Sequence, residues 1–143
     1  MKCTTVIDSE REEEVLIFVR KENALTDEIK ALVEGWSTTL MGYTDSAAVR
    51  LQASDIFCVT IDGGRVFATT ARERLQLKER LYVLEELLGR DFVKINQSCM
   101  VNVKEIDRFE ASIGGALLVT LKNGYKDYVS RRQVKAVKER LGL

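Results

Sequence analysis

The sequence predicts an α+β fold that is mostly β, with a small α+β unit at its N-terminus. Three observations point there. Short apolar stretches recur along the chain, separated by turn-forming Asp62-Gly63-Gly64 and Asn123-Gly124. The three-and-four spacing of a helix face is confined to a few segments. The composition changes near residue 45, where Gly42 and the stretch TDSA (44–47) interrupt the pattern.

The N-terminal unit is expected to span residues 1–45. KCTTVI (2–7) and EVLIFV (14–19) read as strands, separated by the charged turn DSEREE. Thr26, with Asp27 and Glu28 behind it, reads as a helix start. From Ile29 the positions Leu32, Val33, Trp36 and Leu40 form one helix face.

The second unit is expected to span residues 46–143 and to begin with strands AVRLQ (48–52) and DIFCVTI (55–61). Asp62-Gly63-Gly64 supplies the positive backbone angles of a tight hairpin into RVFATT (65–70), and RERLQL (72–77) alternates as a half-buried strand. KERLYVLEELLG (78–89) puts Leu81, Leu84, Leu87 and Leu88 on one helix face and stops at Gly89. FVKI (92–95) opens another strand. The polar run Asn96-Gln97-Ser98 follows it directly, before apolar residues resume at Val101, Val103 and Ile106. GALLVTL (115–121) and YKDYV (125–129) flank the Asn-Gly turn. Ser130 with Gln133 has the form of a capping box, opening a last helix through Leu141 with Val134, Val137 and Leu141 as its apolar stripe.

Composition narrows the function. At 143 residues and 45% apolar, the chain can bury a core without staples. Its apolar runs, such as Val15 to Val19, fall far short of the roughly 20 residues of a membrane helix. The N-terminus lacks the apolar stretch of a signal peptide. The scattered Cys3, Cys58 and Cys99 suit a reducing cytoplasm, and Cys99 with Met100 reads as a packing residue. There is no histidine, which removes the commonest metal ligand and general base. Ser98-Cys99 has neither a base nor a Gly-flanked elbow beside it. No metal, cofactor or catalytic set is expected, and the protein reads as a non-enzyme.

The net charge of zero hides an asymmetry: residues 1–50 carry about −4 and residues 51–143 about +4. The surplus gathers at the end, where Lys126, Arg131, Arg132, Lys135, Lys138 and Arg140 face Asp127 and Glu139. Such a patch is either a solvated helix face or the electrostatic footprint of a phosphate-backbone binder.

These stretches carry a resemblance. DIFCVTIDGGRVFATT, YVLEELLGRDFVKINQSCMVNVKEIDRF and VTLKNGYKDYVSRRQVKAVKERL together resemble the LytTR DNA-binding domain of bacterial transcriptional regulators. The markers are F-x-K-I before a polar turn, then Ser98, Val101 and Asn102 in S-x-x-V-N. Ile106, the Asn-Gly hairpin and V-S-R-R at the final helix complete the set. Residues 1–45 resemble the short extension of free-standing members that lack a receiver domain.

The resemblance implies a mostly-β scaffold that presents loops to successive major grooves of promoter DNA. Asn96, Gln97, Arg132 and Arg65 are the candidates for base contact, since amides suit adenine and arginine suits guanine. Lys94, Ser98, Ser130, Arg131, Lys135 and Lys138 are the phosphate-contact candidates. Asn96 departs from the family, where many members carry histidine or serine. Asp62 is expected to shape the hairpin that carries Arg65. The resemblance also implies a homodimer on paired half-sites, and a membrane-protein antagonist encoded nearby.

Each site residue has a purely structural alternative. Ser98 reads as the cap of a helical turn formed by Cys99 to Asn102, and Asn102 as a backbone-binding turn residue. Ser130 reads as a helix cap whose helix start could also hold phosphate. Two arginines at a helix start oppose the macrodipole, which asks for a partner. The alternative to a DNA-binding regulator is a non-catalytic protein-interaction or ligand-sensing module, which the N-terminal unit with its acidic face would suit.

Overall fold

The computed structural model describes residues 2–35, 39–112 and 114–143. The chain divides into two compact units, Met1–Glu34 and Gly35–Leu143.

In the first unit the described residues up to Asn23 form neither helix nor strand, so the two expected strands at 2–7 and 14–19 are absent. Val6, Ile7, Leu16 and Phe18 stand exposed instead. Their β-forming sequence finds no sheet to join, and a lone hairpin is marginal in water. Helix α1 (Ala24–Gly35) follows. Its start is set by a reciprocal pair: Thr26 N donates to Asn23 Oδ1 at 3.1 Å, and Asn23 N donates to Thr26 Oγ1 at 3.0 Å. Thr26 is therefore the inner half of the cap, three residues into the helix, with Asn23 as the residue ahead of it. Trp36 lies outside the described residues. Leu40 is not on this helix; it belongs to the next strand.

The second unit is built on a seven-stranded antiparallel sheet. Its strands are β1 (Thr39–Tyr43), β2 (Ala48–Gln52), β3 (Ile56–Asp62), β4 (Arg65–Thr70), β5 (Arg74–Leu77), β6 (Phe92–Asn96) and β7 (Cys99–Asn102). Their spatial order is β2-β1-β5-β4-β3-β7-β6. β1 pairs along its whole length with β2 and also meets β5, so the compact unit starts at Gly35 and not near residue 45. Gly42 sits inside β1 because a Cβ there would lie 2.7 Å from Leu75 Cβ and 2.9 Å from Leu51 Cδ1. Its role is close approach within a strand, where the sequence suggested punctuation.

A three-stranded sheet, β10-β9-β8, is formed by β8 (Ile106–Ala111), β9 (Leu117–Leu121) and β10 (Lys126–Val129). Helix α2 (Leu81–Leu88) lies between β5 and β6 in sequence, and α3 (Arg131–Leu141) closes the chain. Leu81, Leu84 and Leu88 are buried, but Leu87 is 45% exposed, off the face expected for it.

Two cores follow from the pleat, since successive strand residues face opposite sides. Ile56, Val59, Ala68, Leu75 and Met100 join Leu81, Leu84 and Leu88 of α2 in one core. Cys58, Ile95, Cys99 and Val101 join Val119, Leu121, Val129 and Val137 of the three-stranded sheet and α3 in the other. Ile56 and Val59 share a core despite being three apart, because the β3–β4 register shifts between Ile56 and Cys58. All four residues of β7 are buried, which makes Cys99 to Asn102 a central strand, not the helical turn expected after Ser98.

Candidate nucleic-acid interface

Register alone gathers the candidate loops. Thr60 of β3 faces Cys99 of β7, and Ile61 N donates to Ser98 O at 2.8 Å. The Gly63-Gly64 turn and the Gln97-Ser98 turn therefore leave the same end of the large sheet. Both glycines take positive φ, 57° and 76°, as the sequence required. The start of α3 arrives at that end too, because Ser130 N donates to Ile95 O at 2.8 Å. Ile95 stands at a register shift between β6 and β7, with its side chain fully buried in the second core. The irregularity leaves its carbonyl available for the helix start.

The polar run between apolar stretches now has its explanation. Asn96 Nδ2 donates to Tyr128 O at 2.9 Å, and its Oδ1 accepts from Ser98 N at 2.9 Å. Gln97 and Ser98 form the exposed turn. The polar residues therefore leave the sheet or find partners, and none is buried unpaired. Asn102 takes the structural role expected of it: buried at 2% exposure, it donates to Ile56 O at 3.0 Å and accepts from Lys104 N at 3.0 Å.

A groove of about 500 Å³ runs between the β6–β7 turn and α3, lined by Lys94, Asn96, Gln97, Ser98, Ser130, Arg132 and Gln133. Six of the ten candidate residues thus share one concavity. Lys94 also borders a neighbouring groove with Phe92, Ala136 and Arg140. The other four candidates lie elsewhere. Arg131, Lys135 and Lys138 are exposed and spaced by four and three, which places them along one side of α3. Arg65 is exposed at the hairpin.

Ser130 precedes α3 as expected but makes no side-chain capping bond. Its backbone N–H is taken by Ile95 O, so the reciprocal half of a capping box has no donor to satisfy. Gln133 and Val134 N–H groups instead reach Ser130 O at 2.9 and 3.1 Å. The first-turn amides and the helix dipole still give this end a positive field.

Two arginines that adjoin in sequence differ in company. Arg131 Nη2 donates to Gly114 O at 2.7 Å, tying α3 to the β8–β9 loop. Arg132 is exposed in the groove, and among the described residues it has no hydrogen bond or ion pair. The same holds for the Gln97 side chain. At the hairpin, Asp62 is held by Arg74 at 3.0 Å, and the Arg74 guanidinium lies 3.8 Å from the Phe67 ring centroid. Asp62 is thus engaged across the strands by Arg74, a partner the sequence did not single out, and its side chain makes no bond within the turn among the described residues.

A half-buried polar cluster stands close to the two buried thiols, Cys58 and Cys99. Tyr125 Oη donates to Asp127 Oδ2 at 3.0 Å, and Tyr128 N donates to Asp127 Oδ1 at 2.8 Å. Burial pushes the Cys58 and Cys99 thiols and the Tyr125 phenol above their ordinary ranges. These buried thiols are protonated packing groups, as the sequence suggested for Cys99, since the thiolate is the reactive form.

Comparison with known proteins decides the family. The LytTr DNA-binding domain family matches residues 46–142. The chain belongs to the LytTr DNA-binding domain family. An uncharacterized HTH-type transcriptional regulator of Staphylococcus aureus strain NCTC 8325 is 35% identical over 107 residues, covering 75% of this chain and 73% of that one. A counterpart from strain MRSA252 matches to the same extent. In fold, the LytTr DNA-binding domain of a Bacillus cereus response regulator superposes with a TM-score of 0.71, at 20% identity, over 74% of this chain and 98% of that one. Among the described residues no two α-helices are consecutive, so the relatives' HTH-type label has no counterpart there. Among the described residues of the LytTr chain, α1 and α2 each lead into a strand and α3 is the last element.

Proposed function

We propose that the protein is a sequence-specific transcriptional regulator that reads promoter DNA with loops on a β scaffold. The observation that carries this is the convergence of Gln97, Arg132 and Lys94 on one groove, at the sheet end that also carries Arg65. Gln97 and Arg132 serve as readers because they are exposed and uncommitted, with side chains that match adenine and guanine edges. Arg131, Lys135 and Lys138 hold the phosphate backbone, with the α3 amides and Ser130 beside them. The test is a titration of the full chain against a duplex it selects from a random library, and against a scrambled duplex, at several salt concentrations. The expected result is tighter binding to the selected duplex and a steep loss of affinity with salt for both. Binding indifferent to both sequence and salt would refute the reading.

The regulator acts as a homodimer in the cytoplasm, paired through the first unit. Among its described residues nine large apolar side chains are exposed, Phe18 at 91% and Ile7 at 95% among them. So many exposed large apolar residues in one segment support an interaction site there. Among the described residues no helix is long and apolar enough to cross a membrane. A membrane-protein antagonist, implied by the family resemblance, would therefore act through protein contact, and the same exposed segment supports that second reading. Deletion of the antagonist gene leaving target expression unaltered would remove it.

A further inference from the structure

We infer that Asn96 is a positioning residue of the DNA-reading face: its amide clasps the β6–β7 turn to the end of β10 and so fixes the spacing of Gln97 and Arg132. The inference rests on the reading assigned to those two residues above. It departs from the expectation that Asn96 itself contacts a base.

The amide is engaged on both sides, and the two bonds fix its orientation. Nδ2 meets a carbonyl, Tyr128 O, and Oδ1 meets an N–H, that of Ser98. A flipped amide would set acceptor against acceptor and donor against donor. Asn96 is half-buried, whereas Gln97 beside it is exposed. Turning Asn96 toward a base edge would break both bonds and leave the Ser98 amide without its acceptor.

The two bonds belong to a longer chain. Ser98 O accepts from Ile61 N, at the base of the Gly63-Gly64 hairpin. Tyr128 N is held by Asp127, which also accepts from Tyr125. Ser130 N, two residues beyond Tyr128, is held by Ile95 O, immediately before Asn96. Hairpin, turn and helix start are thus joined through backbone groups, and Asn96 adds a side-chain link between the turn and the end of β10, which leads into α3. A base reader is expected to be free in the unbound protein. A residue with both ends committed to different elements instead sets where the readers stand.

The test uses the full chain and a duplex it selects from a random library. Asn96→Ala, Gln97→Ala and Arg132→Ala are each profiled against every single-base change in that duplex, with thermal melting as the folding control. A positioning role predicts that Asn96→Ala weakens binding about tenfold, the scale of one or two net hydrogen bonds. It also predicts blurred discrimination at the base pairs read by Gln97 and Arg132, and at no others. Loss of discrimination at a base pair that neither of the other variants affects would make Asn96 a reader and overturn the inference. An unchanged profile would overturn it as well. If Gln97→Ala and Arg132→Ala themselves leave the profile intact, it is the assignment of the readers that fails. Should Asn96→Ala not fold, hydrogen exchange in the wild-type protein decides. Slow exchange at the Asn96 side-chain amide and at Ser98 N–H, unchanged between DNA-free and DNA-bound states, supports the clasp; release of either on binding overturns it.

Discussion

EVLIFV (14–19) and FVKI (92–95) look alike as sequence, yet they meet opposite fates. Phe92 and Ile95 are buried in β6, whereas Leu16 and Phe18 are exposed in a segment without regular structure. Strand propensity is the same on both sides of this comparison. What differs is a neighbour: β6 has β7 along one edge, the start of α3 held at Ile95, and an apolar layer on each face. A strand is therefore a property of the sheet that receives it, and unsatisfied strand-like sequence points to a partner outside the fold.

The largest expected effect comes from where the chain is cut. Removing residues 1–34 leaves the second unit, so it should melt cooperatively near the full-length temperature while losing the proposed self-association. Removing residues 1–45 takes β1 from between β2 and β5, together with buried Leu40, and should abolish cooperative melting. Equal stability of the two truncations, measured by circular dichroism, would break the comparison.

Point substitutions sharpen it. Ile95→Ala empties a fully buried site and should cost about 2–5 kcal/mol in denaturant unfolding. Phe18→Ala, exposed, should change stability by less than about 0.5 kcal/mol while weakening the proposed dimer in sedimentation experiments. Gly42→Ala should cost about 1–3 kcal/mol, since its new methyl meets Leu75 Cβ, a backbone-tethered atom that cannot swing aside.

Much of this architecture was legible in the sequence. Gly63-Gly64 and Asn123-Gly124 announced their hairpins because positive φ restricts residue choice. Leu81, Leu84 and Leu88 announced α2 through burial of one face. Long-range partners left no such trace. Nothing local marks Tyr128 O as the acceptor for Asn96, Arg74 as the partner of Asp62, or Gly114 O as the anchor of Arg131. The Ser130 capping box failed for the same reason, its N–H having been claimed by Ile95 from another strand. At the site, residue types could be chosen from sequence, but which were free to act could not.

A smaller effect follows from the buried thiols and the half-buried Tyr125 phenol. Their acid groups titrate higher in the folded chain than in the unfolded one. Their contribution is thus fully present below the unfolded thiol pKa of about 8.5 and is lost as pH rises beyond it. Urea midpoints should fall above that pH, and less so in Cys99→Ala than in the wild type. A flat profile would show that the thiols are solvated.

The central claim, that one end of the β scaffold reads DNA and α3 divides reading from holding, is tested most directly by Arg132→Ala and Lys135→Ala. Each is titrated against selected and scrambled duplexes over a range of salt, with circular dichroism confirming the fold. Arg132→Ala should cost about 1–3 kcal/mol on the selected duplex and flatten discrimination there. Lys135→Ala should weaken both duplexes alike and lower the salt slope by about one unit. Equal weakening of both duplexes by Arg132→Ala would make that arginine a phosphate clamp, and no effect from either substitution would place the DNA-binding face elsewhere.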